Sequence, residues 1–240
     1  VLNTNDAYAL DSKNGLHEHA NVNDNGGYDK DYWGAIDLNN WNYTQDNTGD
    51  IALSGYKGSD NTKIIIPNIA DFAHGNVTQN ITLQVDPNVD TNKVYISSDV
   101  MHDLAKSAIR IGLSKTANKK VVAKDNIWQD AFGGMTNKPG TTDNAYGGIK
   151  YCSPNLTQMD LHNLDTSNIT NMNSMFWSNQ ISDLRPLASW NTGNVFNMES
   201  MFKNNQISDL RPLASWNIGN VTSMSHILGN NRISDLSPLA

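Results

Sequence analysis

The sequence predicts a mixed α/β fold in which a solenoid of 26-residue repeats follows an N-terminal α/β cap. The string ISDLRPLASW stands at 181–190 and again at 207–216, and ISDLSPLA stands at 233–240, so the period is 26 in both steps. Apolar residues recur at the same positions of each unit, and one unit alone cannot bury them. Several apolar runs upstream have the length and alternation of β-strands.

The repeat comprises three units and the start of a fourth. DTSNITNMNSMFWSNQ at 165–180 aligns with NTGNVFNMESMFKNNQ at 191–206 and NIGNVTSMSHILGNNR at 217–232, and a divergent LTQMDLHNL precedes them at 156–164. The period lies within the 20–29 residues of leucine-rich repeats, so the solenoid is predicted to be leucine-rich-repeat-like. The columns expected to be buried between stacked units are Ile181, Leu184, Leu187, Trp190, Val195, Met198, Met201, Phe202, Ile207, Leu210, Leu213, Trp216, Val221, Met224, Ile227 and Leu228.

Polar columns of the unit have predicted structural roles. Two asparagine columns should bond unpaired backbone groups of their own unit and the next; their members are Asn168, Asn194, Asn220 and Asn179, Asn205, Asn231. We expect Asp183, Asp209 and Asp235 to cap local turns. Gly193 and Gly219 are expected in turns with positive φ. The N-M-x-S-M-F segments have i, i+3, i+4 apolar spacing, which predicts a helical turn on the outer face.

Five strands and one helix of the cap are predicted from the chain upstream. Strands are predicted at 51–56, 63–67, 81–85, 94–97 and 121–125. Ser98 is the predicted N-cap of a helix over about 99–110, with Val100, Leu104, Ala108 and Ile111 facing the core. In the repeat region the strand is expected at LTQMDLHN, and Pro186 and Pro212 should shorten its counterparts in later units.

Three segments are predicted. Residues 1–40 are an acidic, loosely ordered leader, residues 41–150 are the cap with a degenerate repeat at 121–150, and residues 151–240 are the solenoid. The chain starts at Val1 and ends at Ala240 inside a repeat, so we expect it to be part of a longer protein.

Charge and composition bear on partners and cofactors. The net charge is −7, all of it in residues 1–62, and no basic run or long apolar stretch is present, which argues against nucleic acid and against membrane insertion. Cys152 is the single cysteine, so no intrachain disulfide is expected. We interpret Asp24, Asp29, Asp31 and the pair His17, His19 as solvated leader residues and predict no metal and no cofactor.

The sequence predicts a binding protein rather than an enzyme. No metalloprotease, serine-hydrolase or phosphate-loop motif occurs, so no catalytic residue is assigned. Arg185 and Arg211 stand one unit apart and should project from one face as a short basic stripe. Trp177 takes the position of Lys203 in the next unit, where a core role is not evident. These four residues are the candidate ligand-binding residues, suited to a sugar ring or a protein anchor.

Two repeat segments carry a family resemblance. W-N-T-x-N-V-x-N-M-x-x-M-F at 190–202 and its variant at 164–176 resemble BspA-type leucine-rich repeats of surface proteins in lactobacilli and related Gram-positive bacteria. The segment 41–72 is similar to the one that precedes such repeats, and NQISDLRPL partly resembles internalin repeats. The resemblance implies an extracellular, cell-wall-attached or secreted adhesin that binds host epithelial, matrix or mucin components. A carbohydrate-binding module for a polysaccharide and a structural stalk that presents another domain stay open as alternatives.

Overall fold

The computed structural model describes the backbone of residues 15–16 and then Trp33, Gly34, residues 36–74, 91–133, Leu156 and residues 158–240. Within these residues the fold is mixed α/β, with two sheets and short helices. The predicted strand at 81–85, Cys152 and the polar residues discussed in the leader (Asp24, Asp29, Asp31, His17, His19) lie outside the described residues.

Nine strands make up the two sheets of the described part of the chain. They are β1 (Gly15–Leu16), β2 (Trp41–Gln45), β3 (Ile51–Tyr56), β4 (Lys63–Ile66), β5 (Val94–Ile96), β6 (Arg110–Leu113), β7 (Val121–Ala123), β8 (Gln158–Asp160) and β9 (Leu164–Asp165). One sheet has the order β2-β3-β5-β7-β9, antiparallel between β2 and β3 and parallel elsewhere. The other has the order β1-β8-β6-β4 and is parallel throughout.

The chain passes between these sheets in a regular way. It crosses from the five-stranded sheet to the four-stranded one from β3 to β4, from β5 to β6 and from β7 to β8. The inward residues of both sheets are fully buried, as in Ile51 and Val94 of the first and Ile64 and Ile111 of the second. The strands predicted at 51–56, 63–67, 94–97 and 121–125 are confirmed as β3, β4, β5 and β7. In β3 and β5 buried residues alternate with more exposed ones because one face is buried, whereas β4 and β7 are buried on both faces.

Two α-helices are described in full, α1 (Ile69–His74) and α2 (Ser98–Ser107). The predicted N-cap of α2 is wrong by one residue, since the Ser97 hydroxyl accepts the Val100 N–H at 3.2 Å while the Ser98 hydroxyl donates to Asp125 Oδ2 at 2.6 Å. The predicted end is wrong too. The helix stops at Ser107, and Ile111 lies in β6, where it is buried as a strand residue.

The 26-residue units contact one another at equivalent positions. Parallel bridges join Asn171 to Asn197 and Asn197 to Ser223. The rings of Phe176 and Phe202 stack with 5.6 Å between centroids and 1° between planes, and Phe132 stacks on Phe176 at 5.2 Å. The apolar columns from Ile181 to Trp216 are buried as predicted. In the last unit the corresponding side chains, Val221, Met224, Ile227 and Leu228, are only partly buried.

Turns of the repeat differ from prediction at two places. The N-M-x-S-M-F segments are not helical, because Ser174 (φ 54°) and Ser178 (φ 58°) have left-handed backbone. They are also not on the outer face, since Met172, Met175 and Phe176 are fully buried. The expected positive φ at Gly193 and Gly219 is wrong; the left-handed residues are serines, asparagines and a histidine of the following turns.

Prolines replace a strand by a 3₁₀ helix in later units. Arg185–Leu187, Arg211–Leu213 and Ser237–Leu239 form such helices where the first unit has β8. Each begins with an aspartate cap, as predicted, in which a carboxylate accepts the backbone N–H two residues later; the bonds are Arg185 N to Asp183 at 3.0 Å, Arg211 N to Asp209 at 2.9 Å and Ser237 N to Asp235 at 2.9 Å.

Asparagine side chains cross-link successive units, as predicted. Asn205 Nδ2 donates to the carbonyls of Phe176 and Phe202, both at 2.9 Å, and its Oδ1 accepts the Ile181 N–H at 3.0 Å. The exposed column bonds back by one unit, with Asn194 Nδ2 donating to Ser167 O at 2.8 Å.

Part of the predicted leader is packed. Gly15–Leu16 pairs with β8, and Trp33 and Leu38 are buried. Because both side chains are large and apolar, Trp33 and Leu38 contribute to the interior instead of belonging to a loosely ordered leader. Among the described residues, no helix has the length and apolarity to cross a membrane.

Candidate functional site

One row of side chains crosses the outward face of the five-stranded sheet. Strand register pairs Thr44 with Ala52, Ala52 with Tyr95, Tyr95 with Val122, and Val122 with Asp165. Paired residues point to the same side of a sheet, so these five lie on one face. Their chain neighbours, such as Ile51, Val94 and Val121, point into the core. The result is a row of mostly polar groups on rigid backbone.

A cavity of about 360 Å³ opens at one end of this row. It lies within the range of about 300–1,000 Å³ that small-ligand sites occupy. The residues that line it and bear on its chemistry are Thr44, Asp46, Asp50, Ala52, Tyr95 and Lys124. They come from β2, β3, β5, the turn between β2 and β3, and the residue after β7, so the sheet brings together segments that are distant in sequence.

Backbone hydrogen bonds hold the two carboxylates of the cavity. Asp46 Oδ1 accepts the N–H groups of Thr48 at 2.9 Å and Asp50 at 3.0 Å, in a turn where Gly49 has φ 96°. Asp50 Oδ1 accepts the Lys93 N–H at 2.9 Å. These three bonds hold Oδ1 of each carboxylate. The carboxylates are therefore ordered before any ligand arrives.

The phenol of Tyr95 stands in the field of three carboxylates. Burial raises its pKa first, and the charges of Asp50, Asp46 and Asp165 raise it further. The hydrogen bond from the Thr48 hydroxyl holds the pKa of Asp46 below its ordinary value. At neutral pH the cavity therefore presents the neutral phenol of Tyr95 and the ionised carboxylate of Asp46. Within the described parts of the chain the Tyr95 hydroxyl has no hydrogen-bond partner, so it is available to a ligand.

Lys124 supplies a positive charge at the same cavity. It follows β7, and its backbone N–H donates to Ile96 O at 2.8 Å, which fixes the start of the side chain. The side chain is exposed. In the part of the chain that the structure describes, no carboxylate lies within ion-pair distance of its ammonium group. The cavity thus contains both charge signs.

Trp177 and Lys203, two of the residues predicted from the sequence, contact each other. The Lys203 ammonium lies 5.0 Å from the centroid of the Trp177 ring, a cation–π distance. Both side chains are half-buried. One face of the ring is therefore covered by a side chain of the next unit, and that face does not offer the open platform expected for a sugar. Their role in ligand binding stays a prediction.

The predicted basic stripe is wrong, because each arginine is paired within its own unit. Arg185 bonds Asp183 through two nitrogens, with the shortest contact, Nη2 to Oδ2, at 2.6 Å. Arg211 repeats the arrangement on Asp209 at 2.7 Å. Each arginine and its aspartate carry opposite charges, so the two pairs have no net charge and do not form a basic stripe. Ligand binding by the two arginines is still a prediction.

The residues of the cavity were missed in the sequence. Asp46, Tyr95 and Lys124 belong to separate segments, and strand register alone brings them together. A signal was present in the strand predicted at 94–97, where the alternation of Val94 and Ile96 leaves Tyr95 on the opposite, outward face. Among the described residues no group of three or more His, Cys, Asp or Glu side chains is arranged to hold a metal ion.

One family model matches part of the chain. It is described as "Mycoplasma protein of unknown function, DUF285", and it matches residues 146–235, less than half of the chain and including the 26-residue units. No curated protein and no solved structure matches the chain. The similarity to this family thus covers the repeat segment and not the cavity, whose residues all precede the matched range.

Proposed function

We propose that this chain is a binding module of a surface adhesin, built as a leucine-rich-repeat-like solenoid of the BspA type. In this proposal residues 151–240 form the repeating part and the preceding strands form its first turns and cap. The equal spacing of the bridges from Asn171 to Asn197 to Ser223 supports stacked units. The buried asparagines Asn205 and Asn231 also support stacked units, because each donates to a backbone carbonyl of the preceding unit.

The outward row from Thr44 to Asp165, with the cavity at its end, is the observation that carries the binding role. A row fixed by five paired strands presents ligand-contacting groups with little conformational freedom left to lose on binding. The ordered carboxylates and the unpartnered phenol and ammonium are groups that make hydrogen bonds to a ligand. We therefore propose binding and not catalysis as the activity.

The partner class follows from the family resemblance. We propose that the chain acts outside the cell, attached to the wall or secreted, and that it holds host mucin, matrix or epithelial surface components. The net charge of −7 is consistent with such partners and unfavourable for nucleic acid.

A direct binding measurement tests the adhesin proposal. The purified chain is passed over immobilised mucin, extracellular-matrix proteins and epithelial cell surfaces, with albumin as the reference surface. We expect saturable binding to at least one of the three surfaces at micromolar concentration. Binding no greater than to albumin on all three would contradict the proposal and would favour the stalk.

Variants then locate the binding surface. Tyr95→Ala alters the sheet-face cavity, and Trp177→Ala alters the residue predicted from the sequence. Because Tyr95 lines the cavity and Trp177 lies in a turn of the repeat, the two changes report on separate surfaces. We expect the first to weaken binding and the second to leave it unchanged. The opposite pattern would move the site to the repeat.

A further inference from the structure

We propose that the cavity beside Tyr95 binds one or two neutral, hydroxylated sugar rings. The inference rests on the proposed binding function and adds its ligand class and location. Nothing in the repeat itself contributes to this site, whose lining comes from β2, β3, β5, their connections and Lys124.

The lining matches the two kinds of surface on a sugar ring. Ala52 and the ring of Tyr95 are paired across β3 and β5 and form an apolar strip on the outward face. Around this strip stand the Thr44 hydroxyl, the Asp46 and Asp50 carboxylates and the Lys124 ammonium. A sugar presents C–H groups on its ring face and hydroxyl groups at its edge, so the ring face meets the apolar strip and the hydroxyls meet the polar groups.

Charge distinguishes a neutral ligand from an ionic one. The cavity has carboxylates on the turn side and the Lys124 ammonium on the β7 side. A bare anion would be attracted to Lys124 but repelled by Asp46 and Asp50, and a bare cation would be attracted to the carboxylates but repelled by Lys124. A sugar hydroxyl both donates and accepts. It satisfies carboxylate acceptors and an ammonium donor in the same complex, and no charge has to be buried unpaired.

The two fixed carboxylates favour a ligand that places hydrogen-bond donors against them. Asp46 and Asp50 each accept backbone N–H groups at Oδ1, so these carboxylates are held by bonds that the ligand does not have to form. Hydrogen bonds between ionised and neutral groups are stronger than those between neutral groups. The Tyr95 hydroxyl adds a donor that has no partner in the described residues.

The size of the cavity sets the length of glycan that fits. At about 360 Å³ it lies at the lower end of the range for ligand sites, which suits a terminal sugar or a disaccharide and not a long buried chain.

A glycan array provides the test. The probes are terminal galactose, glucose, mannose, N-acetylglucosamine and N-acetylgalactosamine oligosaccharides, sialylated and sulfated counterparts, and polysaccharides of plant and microbial origin. We expect the chain to be retained by a subset of neutral glycans, in a way that about 0.5 M NaCl does not abolish, since screening removes only ionic attraction. Mucin-type oligosaccharides and polysaccharides form separate arms, which identify the source of the sugar.

Three variants and a matched control assign the site. Tyr95→Ala removes the ring, Tyr95→Phe removes only the hydroxyl, and Asp50→Asn keeps an acceptor for the Lys93 N–H but removes the charge. Tyr95→Ala and Asp50→Asn should each lower glycan affinity by at least about tenfold, and Tyr95→Phe should lower it by less. Phe196→Ala is the control, because Phe196 is 47% exposed on a repeat unit, and it should leave affinity unchanged.

The outcomes separate this inference from the adhesin proposal. Binding to mucin or matrix protein that is insensitive to Tyr95→Ala and Asp50→Asn, in folded variants, overturns the sugar site and leaves the adhesin role standing. Retention restricted to sialylated or sulfated glycans, or abolished by salt, overturns the neutral-sugar assignment. Glycan retention without any host-surface binding supports the site and contradicts the adhesin role. Folding of each variant is checked by its urea midpoint, and Tyr95→Phe and Asp50→Asn keep the test valid if Tyr95→Ala unfolds.

Discussion

Replacing Asn205 by alanine should destabilise the repeat far more than replacing an exposed asparagine one column away. Asn205 is 2% exposed and makes four bonds to backbone groups of two units, of which the one to the Lys203 carbonyl is the longest at 3.4 Å. Without it the buried Ile181 N–H has no acceptor, which costs about 1–3 kcal/mol. The carbonyls of Phe176 and Phe202 lose one bond each but keep another from Asn179 and Asn231, so each adds only about 0.5–1 kcal/mol.

The expected total is a loss of about 2–5 kcal/mol in the free energy of unfolding. Urea denaturation followed by circular dichroism measures it, with the slope of the transition compared between variants to confirm that the same surface is exposed. Asn194→Ala is the matched control. Asn194 is exposed and donates a single bond to Ser167 O, so its loss should cost about 0.5 kcal/mol.

Asn205→Asp tests the donor and acceptor roles of this side chain separately. It keeps the acceptor for the Ile181 N–H but places a carboxylate oxygen against the Phe176 and Phe202 carbonyls, so it should be at least as damaging as alanine. If the losses in free energy of unfolding for Asn205→Ala and Asn194→Ala differ by less than about 1 kcal/mol, the bonds of Asn205 do not stabilise the units as described.

Two further predictions follow from close approach and from charge. Gly133→Ala should destabilise the chain by about 1–3 kcal/mol in the same urea assay, because the added Cβ would lie 2.4 Å from the backbone oxygen of Trp177. Gly193→Ala should cost clearly less, because its Cβ would meet only side-chain atoms, of Asn191 at 3.3 Å and of Asn217 at 3.5 Å, and equal costs would contradict this expectation. Hydrogen bonds from Arg211 hold the pKa of Asp209 below its ordinary value, so its contribution to stability is present above about pH 4 and is lost as the pH falls through the lower folded-state pKa. Asp209→Asn should therefore show a slightly smaller drop in melting temperature between pH 7 and pH 3 than the wild type, and an equal or larger drop would refute the assignment.

The repeat was readable in the sequence because its period appears in the letters themselves. Columns such as Leu187 and Phe202 are apolar in every complete unit, and stacking is the only way for short units to bury them. The asparagine and aspartate roles were predictable for the same reason, since a polar residue that recurs beside buried columns must bond the backbone there.

Backbone conformation within the turns was not readable. The i, i+3, i+4 spacing of Met172, Met175 and Phe176 suits a helix, but consecutive tight turns place the same three side chains inward. What decides between them is the left-handed backbone of Ser174 and Ser178, and serine has no strong preference for that region. Local spacing therefore gave the correct buried residues and the wrong secondary structure.

The cavity could not be predicted, because strand pairing and not local sequence creates it. Asp46 and Lys124 become neighbours of Tyr95 through the register of β3, β5 and β7, in which the chain between paired strands includes turns and helix α2. A one-residue change of register would direct the Tyr95 side chain into the core, and the cavity would not form. Of the cavity's features, only the outward orientation of Tyr95 could be predicted, from the alternation of apolar residues along its strand.

The partial exposure of the last unit has a consequence for local unfolding. Its apolar columns, including Val221 and Met224, are less buried than their counterparts Val195 and Met198, so residues 217–240 should open at a lower free energy than the units before them. Amide hydrogens in this segment should then exchange first, and protection should rise unit by unit toward β9. Since the cavity lies on β2, β3 and β5, opening of residues 217–240 in the 240-residue chain should leave the proposed ligand site intact.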